Sequence, residues 1–243
     1  MSRTRVYFDG YDLTKFCHVS DLREPLLSRN ITSVTVPGRD GSMLTGANLT
    51  ERTLTLTITL MGKDIEERRA SARMLAAILD VDSARPLALS IDGGLYYLAI
   101  PNADADGMLA CNATRYDVTF RCLDPVAYGA ERIVTVPSGG SATFDVGGTY
   151  PTMPNVSVAA AGNAANGYWR LSLDDGDYLQ AQIPSGVSTA PIEADCQGRV
   201  LKVNGTVKML HSLSDWLVFE PGRHELTMQG SGEAIVTFVE RWL

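Results

Sequence analysis

From Thr53 to Leu60 the chain alternates threonine with an aliphatic residue, TLTLTITL. Successive side chains of a strand point to opposite faces, so Leu54, Leu56, Ile58 and Leu60 share one face and Thr53, Thr55, Thr57 and Thr59 the other. After Met61-Gly62-Lys63 the period changes to that of a helix. Ile65, Ala72, Leu75, Ala76 and Leu79 then recur on one stripe, leaving Arg68, Arg69 and Arg73 to the solvent side. Asp64 stands where a helix takes its cap, and Glu67 stands where a capping box takes its acid. The pattern predicts this helix packed over the leucine face of the strand, each large aliphatic side chain contributing about 1.5–3 kcal/mol when buried.

Around this pair the first half reads as further strands. Arg5–Phe8 ends at the Asp9-Gly10 turn, Leu22–Leu27 is interrupted by Pro25, and Ile31–Val36 leads into the loop Val36-Pro37-Gly38-Arg39-Asp40-Gly41-Ser42. Leu87–Ile91 and Leu95–Ile100 flank Asp92-Gly93-Gly94 as a hairpin, and Tyr116–Cys122 is another strand. Strands, one helix and strands again make an α+β arrangement with mostly antiparallel pairing.

The composition changes near Ala130. From Glu131 onward the spacing predicts no helix but many short strands: Arg132–Val136, Ala142–Val146, Asn155–Val158, Tyr168–Leu173, Tyr178–Ile183, Val200–Val203, Trp216–Phe219, His224–Met228 and Ala234–Val239. Their regular spacing predicts an all-β sandwich of jelly-roll type. The expected organisation is therefore an α+β domain over residues 1–130 and a β-sandwich domain over 131–243.

Composition narrows what such a chain does. Over 243 residues the formal net charge is -7, which argues against a protein that grips nucleic-acid phosphates. No apolar run approaches the length that spans a bilayer, so membrane insertion is not expected. The start, MSRTRVYFDGYDL, lacks an apolar signal core, and synthesis in a cytoplasm is expected. Cys17, Cys111, Cys122 and Cys196 form no metal-binding pair, and reduced buried thiols are expected.

Candidate chemistry is sparse. Asn102-Ala103-Asp104-Ala105-Asp106-Gly107 matches the first half of a calcium loop, but Ala113 stands where the bidentate Glu is needed. An acidic hairpin loop is the reading there, and a β-turn is the reading at Asp174-Asp175-Gly176-Asp177. His211, Ser212, Ser214 and Asp215 lie close in sequence without a nucleophile elbow. No catalytic residue, metal ligand or cofactor is predicted, so the expectation is a protein that is not an enzyme. Trp169 and Trp216 read first as core residues of the sandwich, and they are the candidate sugar contacts of an alternative reading, a carbohydrate-binding module using the sandwich for host-surface attachment.

In order along the chain, Val6-Tyr7-Phe8-Asp9-Gly10-Tyr11-Asp12-Leu13-Thr14, the Val36–Ser42 loop, the Arg52–Leu60 strand with its helix and Phe120-Arg121-Cys122-Leu123-Asp124-Pro125 resemble the N-terminal domain of siphophage distal tail proteins. Asn204-Gly205-Thr206, Ser214-Asp215-Trp216, Pro221-Gly222 and the closing Arg241-Trp242 resemble that family's galectin-like C-terminal domain. The resemblance implies a tail-tube-like first domain and a virion protein of the tail tip. It implies a homohexameric hub ring joining the tail tube to the host-adsorption apparatus, around a channel through which DNA passes without specific binding. The implied partners are other copies of the chain, the tail tube protein, the tail-associated tip protein and, further, the tape measure protein.

A closed ring needs one patch to meet a different patch on the next copy. The candidate interface is the loop Pro37, Gly38, Arg39, Asp40, Gly41 and Ser42, together with the face and edges around Thr53, Thr55, Thr57 and Thr59. An acidic channel lining would let DNA slide without sticking.

Overall fold

A computed structural model of the chain describes residues 4–102, 107–109, 114–165 and 167–243. Most of the Asn102–Gly107 loop, Ala113 and Cys111 lie outside the described residues. The chain divides into two compact units, 1–128 and 129–242.

The strands of the first unit, in chain order, are β1 (Val6–Phe8), β2 (Tyr11–Asp12), β3 (Cys17–Arg23), β4 (Arg29–Val34), β5 (Met43–Leu49), β6 (Arg52–Leu60), β7 (Arg85–Leu89), β8 (Tyr96–Pro101), β9 (Gly107–Leu109) and β10 (Thr114–Cys122). The helix α1 spans Ile65–Leu79 between β6 and β7. The main sheet is antiparallel, in the order β2-β1-β7-β8-β10-β6-β3, with β9 also on β10. The alternation in β6 does what it predicts: Leu54, Leu56, Ile58 and Leu60 are buried, along with Val6, Phe8, Leu87, Leu89, Val118 and Phe120 from neighbouring strands.

The strand written Leu22–Leu27 lies earlier, over Cys17–Arg23, and stops before Pro25, whose missing N–H ends a ladder. Between it and β6 stands β5, which the pattern did not announce. MLTGANL carries a glycine and no clean alternation, yet it pairs with β4 from Arg29↔Leu49 to Val34↔Met43. The two form a separate two-stranded sheet.

Asp64 caps α1 as expected, its Oδ1 accepting from Glu67 N at 2.8 Å. Glu67 reaches back to Lys63 N at 2.8 Å, one residue before the position a capping box uses. The burial of the helix departs from the prediction. Leu75 is fully buried, but Ile65 and Ala76 are exposed, and Ala72 and Leu79 are only half-buried. Arg68, expected in solvent, is instead buried. Its backbone crowds Gly62 so closely that a Cβ there would lie 2.7 Å from Arg68 N. The helix therefore docks through its first turn and Leu75, not through a long aliphatic stripe.

The second unit holds most of β11 (Ala127–Val136), then β12 (Ser141–Val146), β13 (Asn155–Ala161), β14 (Trp169–Leu173), β15 (Tyr178–Ala181), β16 (Ala190–Asp195), β17 (Val200–Val203), β18 (Thr206–Lys208), β19 (Gly222–Gln229) and β20 (Ala234–Trp242). One sheet runs β18-β17-β16-β13-β20-β11 and the other β12-β19-β14-β15. Their inward residues share one core, which includes Trp169, Leu171, Ile192, Leu201, Phe219, Leu226 and Val236. Phe144 and Phe238 each meet Phe219 edge to face in it, and the three ring centroids lie 5.1–5.6 Å apart.

Trp216–Phe219 is not a strand. It is an extended segment held by a reciprocal pair, Thr152 N to Phe219 O at 2.9 Å and Phe219 N to Thr152 O at 2.7 Å. The Asp174–Asp177 segment is the turn joining β14 to β15, with Asp177 N donating to Asp175 Oδ1 at 2.9 Å.

Candidate functional site

The loop singled out by its Pro-Gly pair is the tip of the β4–β5 hairpin. Arg39 N donates to Val36 O at 3.2 Å, closing a turn with Pro37 first and Gly38 second. Gly38 has φ of 83°, the value a type II turn requires of its second central residue and one that glycine adopts without strain. Pro37, Gly38, Arg39, Asp40, Gly41 and Ser42 are all exposed.

The arms behind the tip are the more telling part. Every residue of β4 is exposed, and most of β5 is too. Among them are large apolar side chains: Ile31 at 65% exposure, Val34, Met43 and Leu44 at 66%, with Leu26 at 95% just before the hairpin. A two-stranded ribbon is marginal alone in water, since it has no third layer to cover its apolar side chains. Sequence reasoning found the loop and missed this surface, because recognising it requires knowing that the ribbon leaves the main sheet.

A second apolar surface belongs to the same unit. Between α1 and the sheet lies an open groove of about 760 Å³, lined by Leu60, Leu75, Ala76, Leu79, Val81 and Val118 among others. It exists because the helix buries so few of its own aliphatic residues.

The threonine face is polar but not bare. Thr53, Thr55, Thr57 and Thr59 stand opposite Arg121, Thr119, Asp117 and Arg115 of β10. Thr57 is fully buried and donates to Asp117 Oδ1 at 2.6 Å. On the other side Thr55, Thr57 and Thr59 pair with Arg23, Asp21 and His18 of β3. β6 is thus an interior strand with both edges hydrogen-bonded. The edges of β6 itself are closed to a neighbour, and on this side the sheet ends at β3. Charges on this face are mixed: Arg23 lies 3.2 Å from Asp21, and Arg121 lies 2.6 Å from Glu51. It is not a uniformly acidic lining.

Trp169 is 0% exposed, in the sandwich core, so it cannot stack on a sugar and is withdrawn as a sugar contact. Trp216 is half-buried and packs against the same core. His211 Nδ1 accepts from Leu213 N at 3.3 Å, and Ser214 N donates to His211 O at 2.8 Å, which makes this cluster a local turn. Cys17, Cys122 and Cys196 are free and buried. Burial, the main cause, pushes their thiols up to about 11, about 12 and about 12 respectively. No group of metal-ligating side chains is present among the described residues, and no helix there is long and apolar enough to cross a membrane.

An uncovered apolar ribbon and an apolar groove mark a component of a larger structure. The comparisons with known proteins specify which kind. The phage tail protein RIFT-related domain matches residues 12–122, and the siphovirus-type tail component C-terminal domain matches residues 147–242. The chain belongs to the siphophage distal tail protein family and is a structural component of the phage tail. No curated protein matches it.

Among solved structures, that of the SPP1 Dit (gp 19.1) protein, described as a paradigm of hub adsorption apparatus in Gram-positive infecting phages, superposes with a TM-score of 0.82. Identity is 21% over 100% of both chains, so the likeness is one of fold. A chain of the phage p2 baseplate in its activated conformation with Sr follows at TM-score 0.50 and 9% identity, over 97% of each chain.

Proposed function

We propose that the protein is the hub of a siphophage tail tip, a homohexameric ring that joins the tail tube to the host-adsorption apparatus and surrounds the DNA exit channel. The first unit is the ring-forming, tail-tube-like domain, and the second is a galectin-like sandwich. The observation that carries this reading is the β4–β5 hairpin, with Ile31, Val34, Met43 and Leu44 uncovered by their own chain.

The hairpin of one copy seats in the α1 groove of the next. Hairpin and groove involve different residues, so the contact is heterologous and repeats around a ring until it closes. Repeated burial of such side chains from water supplies the driving force, at about 25 cal/mol for each Å² of apolar area. The Pro37–Ser42 tip fixes where the hairpin ends and so the register of docking.

The threonine face of β6 and β10 is the candidate channel lining. Several of its charges are paired, as at Arg121 with Glu51 and Arg23 with Asp21, so these offer little to hold a phosphate backbone. In this role the protein acts as structure and not as an enzyme. It assembles in the host cytoplasm with the tail tube protein, the tail-associated tip protein and the tape measure protein.

The docking is tested with the double variant Leu44→Cys, Ala76→Cys under mild oxidation. The three described native thiols are buried, so background crosslinking is low. A non-reducing ladder extending to six copies is expected. A folded double variant that stays a single band would refute the docking of hairpin on groove.

A further inference from the structure

The second unit leaves a long strand edge open. Its sheet β12-β19-β14-β15 ends on β12, whose residues from Ser141 to Val146 all pair with β19 on one side. Among the described residues, no strand pairs with the other side. Met228 N donates to Gly140 O at 2.9 Å, and that register runs on through Val146 without a bulge. Ala142, Phe144 and Val146, in step with Gly140, therefore bond to β19. The N–H and C=O groups of Ser141, Thr143 and Asp145 point to the open side, since the two directions alternate along an antiparallel strand.

An open edge is a template for another strand, and proteins ordinarily blunt it by shortness, charge, proline, a bulge or a cover. The other edges of the second unit carry such devices. β18 is three residues long and contains Lys208, and β11 presents Glu131 and Arg132 side by side. β15 is four residues long and mostly buried, and its Tyr178 O is taken by Asp215 N at 3.1 Å. β12 reads SATFDV, with no proline, lysine or bulge. Its single charge, Asp145, selects among strands by sign and leaves the rest of the edge open.

The two faces of β12 state what a partner strand carries. Ala142 and Phe144 are half-buried and turn inward, where Phe144 meets Phe219 with ring centroids 5.1 Å apart. Apolar side chains placed across from them continue the core past its present rim. Ser141, Thr143 and Asp145 are exposed on the outer face, opposite Thr227, Glu225 and Arg223 of β19. Asp145 and Glu225 outnumber Arg223 there, which favours basic side chains on that face of the partner. A second copy would bring another Asp145 and Glu225, and a further formal charge of -7, to the same edge.

We propose that β12 takes up an extended strand of a different protein, one that alternates basic and apolar residues and adds to the sheet by backbone pairing. The site does not depend on the ring, because β12 and β19 belong to the second unit of one copy.

The test titrates the full chain with synthetic peptides: Lys-Val-Lys-Val-Lys-Val-Lys, its Glu-Val counterpart, and the Lys-Val peptide with its lysine backbone nitrogens methylated. The Lys-Val peptide should bind by fluorescence anisotropy, and hydrogen exchange should show new protection confined to residues 141–146. The other two should each bind at least about tenfold more weakly, one from like charges and the other from lost backbone bonds. Thr143→Pro removes an N–H that β19 does not use, and should cut binding by about tenfold with β12 still on its sheet. Asp145→Lys, at an exposed position, should invert the preference in favour of the Glu-Val peptide.

Absence of binding by the Lys-Val peptide, protection elsewhere in the chain, equal binding of the methylated peptide, or unchanged binding in a folded Thr143→Pro variant would overturn strand addition at β12. Equal binding of the Glu-Val peptide to the natural sequence, or an unchanged preference in Asp145→Lys, would overturn the basic partner. Pairs of copies joined through β12 in the Ile31→Asp, Leu44→Asp variant would overturn the assignment to a different protein.

Discussion

The two units treat their apolar residues in opposite ways. In the second, both sheets turn alternate side chains inward onto one core, and Trp169, Leu171, Ile192, Phe219 and Val236 are all at 0% exposure. In the first, the sheet buries its own face, but the β4–β5 ribbon and much of α1 leave aliphatic groups in water. The second unit also exposes Ile133, Val207, Met209 and Leu213, but its two sheets cover each other's inner faces. A unit that leaves a ribbon and a groove uncovered is shaped for a neighbour, since exposed apolar area of this kind marks interaction sites. On the proposed hub reading, ring assembly therefore belongs to the first unit.

Substitutions can break this contrast directly. The largest effect is expected where closure is most complete. Trp169→Ala should cost about 3–5 kcal/mol, as truncation of a large buried ring does. Denaturant unfolding should show the loss in the second unit's transition, with that of the first unit in place. A loss near zero would mean that the core tolerates the cavity and is less closed than it looks.

Gly62→Ala probes a tight contact at the start of the helix. A Cβ would lie 2.7 Å from Arg68 N and 2.9 Å from Glu67 Cβ, so the loop or the first helical turn must shift. Overpacking of this kind costs about 1–3 kcal/mol. Circular dichroism on thermal unfolding should register it in the first unit.

Smaller still in stability terms is the paired substitution Ile31→Asp, Leu44→Asp. Both side chains are exposed, so each charge should alter the stability of a single copy by no more than about 0.5 kcal/mol. Sedimentation velocity should nevertheless show self-association abolished. A large loss of stability instead would show that the hairpin is folded onto its own chain.

The smallest effect is on thiol reactivity. With burial holding Cys17 at about 11 and Cys122 and Cys196 at about 12, these groups remain protonated at neutral pH. Their thiolate fractions rise only as pH approaches those values. Native alkylation followed by mass spectrometry should leave all three unmodified, and denaturant should expose them.

Much of the fold was legible because alternation is a strong signal where one face is buried. TLTLTITL fixed both faces of β6, and Asp64 with Glu67 marked the start of α1. Where burial is weak, the signal is weak. β5 has a glycine and a register shift against β4, and no buried face to impose a period, so it left no pattern. The same lack of burial made the helix misleading: a stripe of Ile65, Ala72, Leu75, Ala76 and Leu79 announced a buried face that α1 only partly has.

For the site, Pro37-Gly38 revealed the turn but not the apolar arms behind it, since a run such as Arg29–Val34 does not state what covers it. Trp169, read first as a core residue, is one. Its neighbours in β14 place it inward, a fact that depends on which face of the sheet meets the other.

Electron microscopy of the purified chain, beside its Ile31→Asp, Leu44→Asp variant, tests the central claim most directly. Six-fold rings are expected for the natural sequence, with isolated copies for the variant. Rings that persist when the hairpin carries those charges would contradict the account, as would closed rings of a different number.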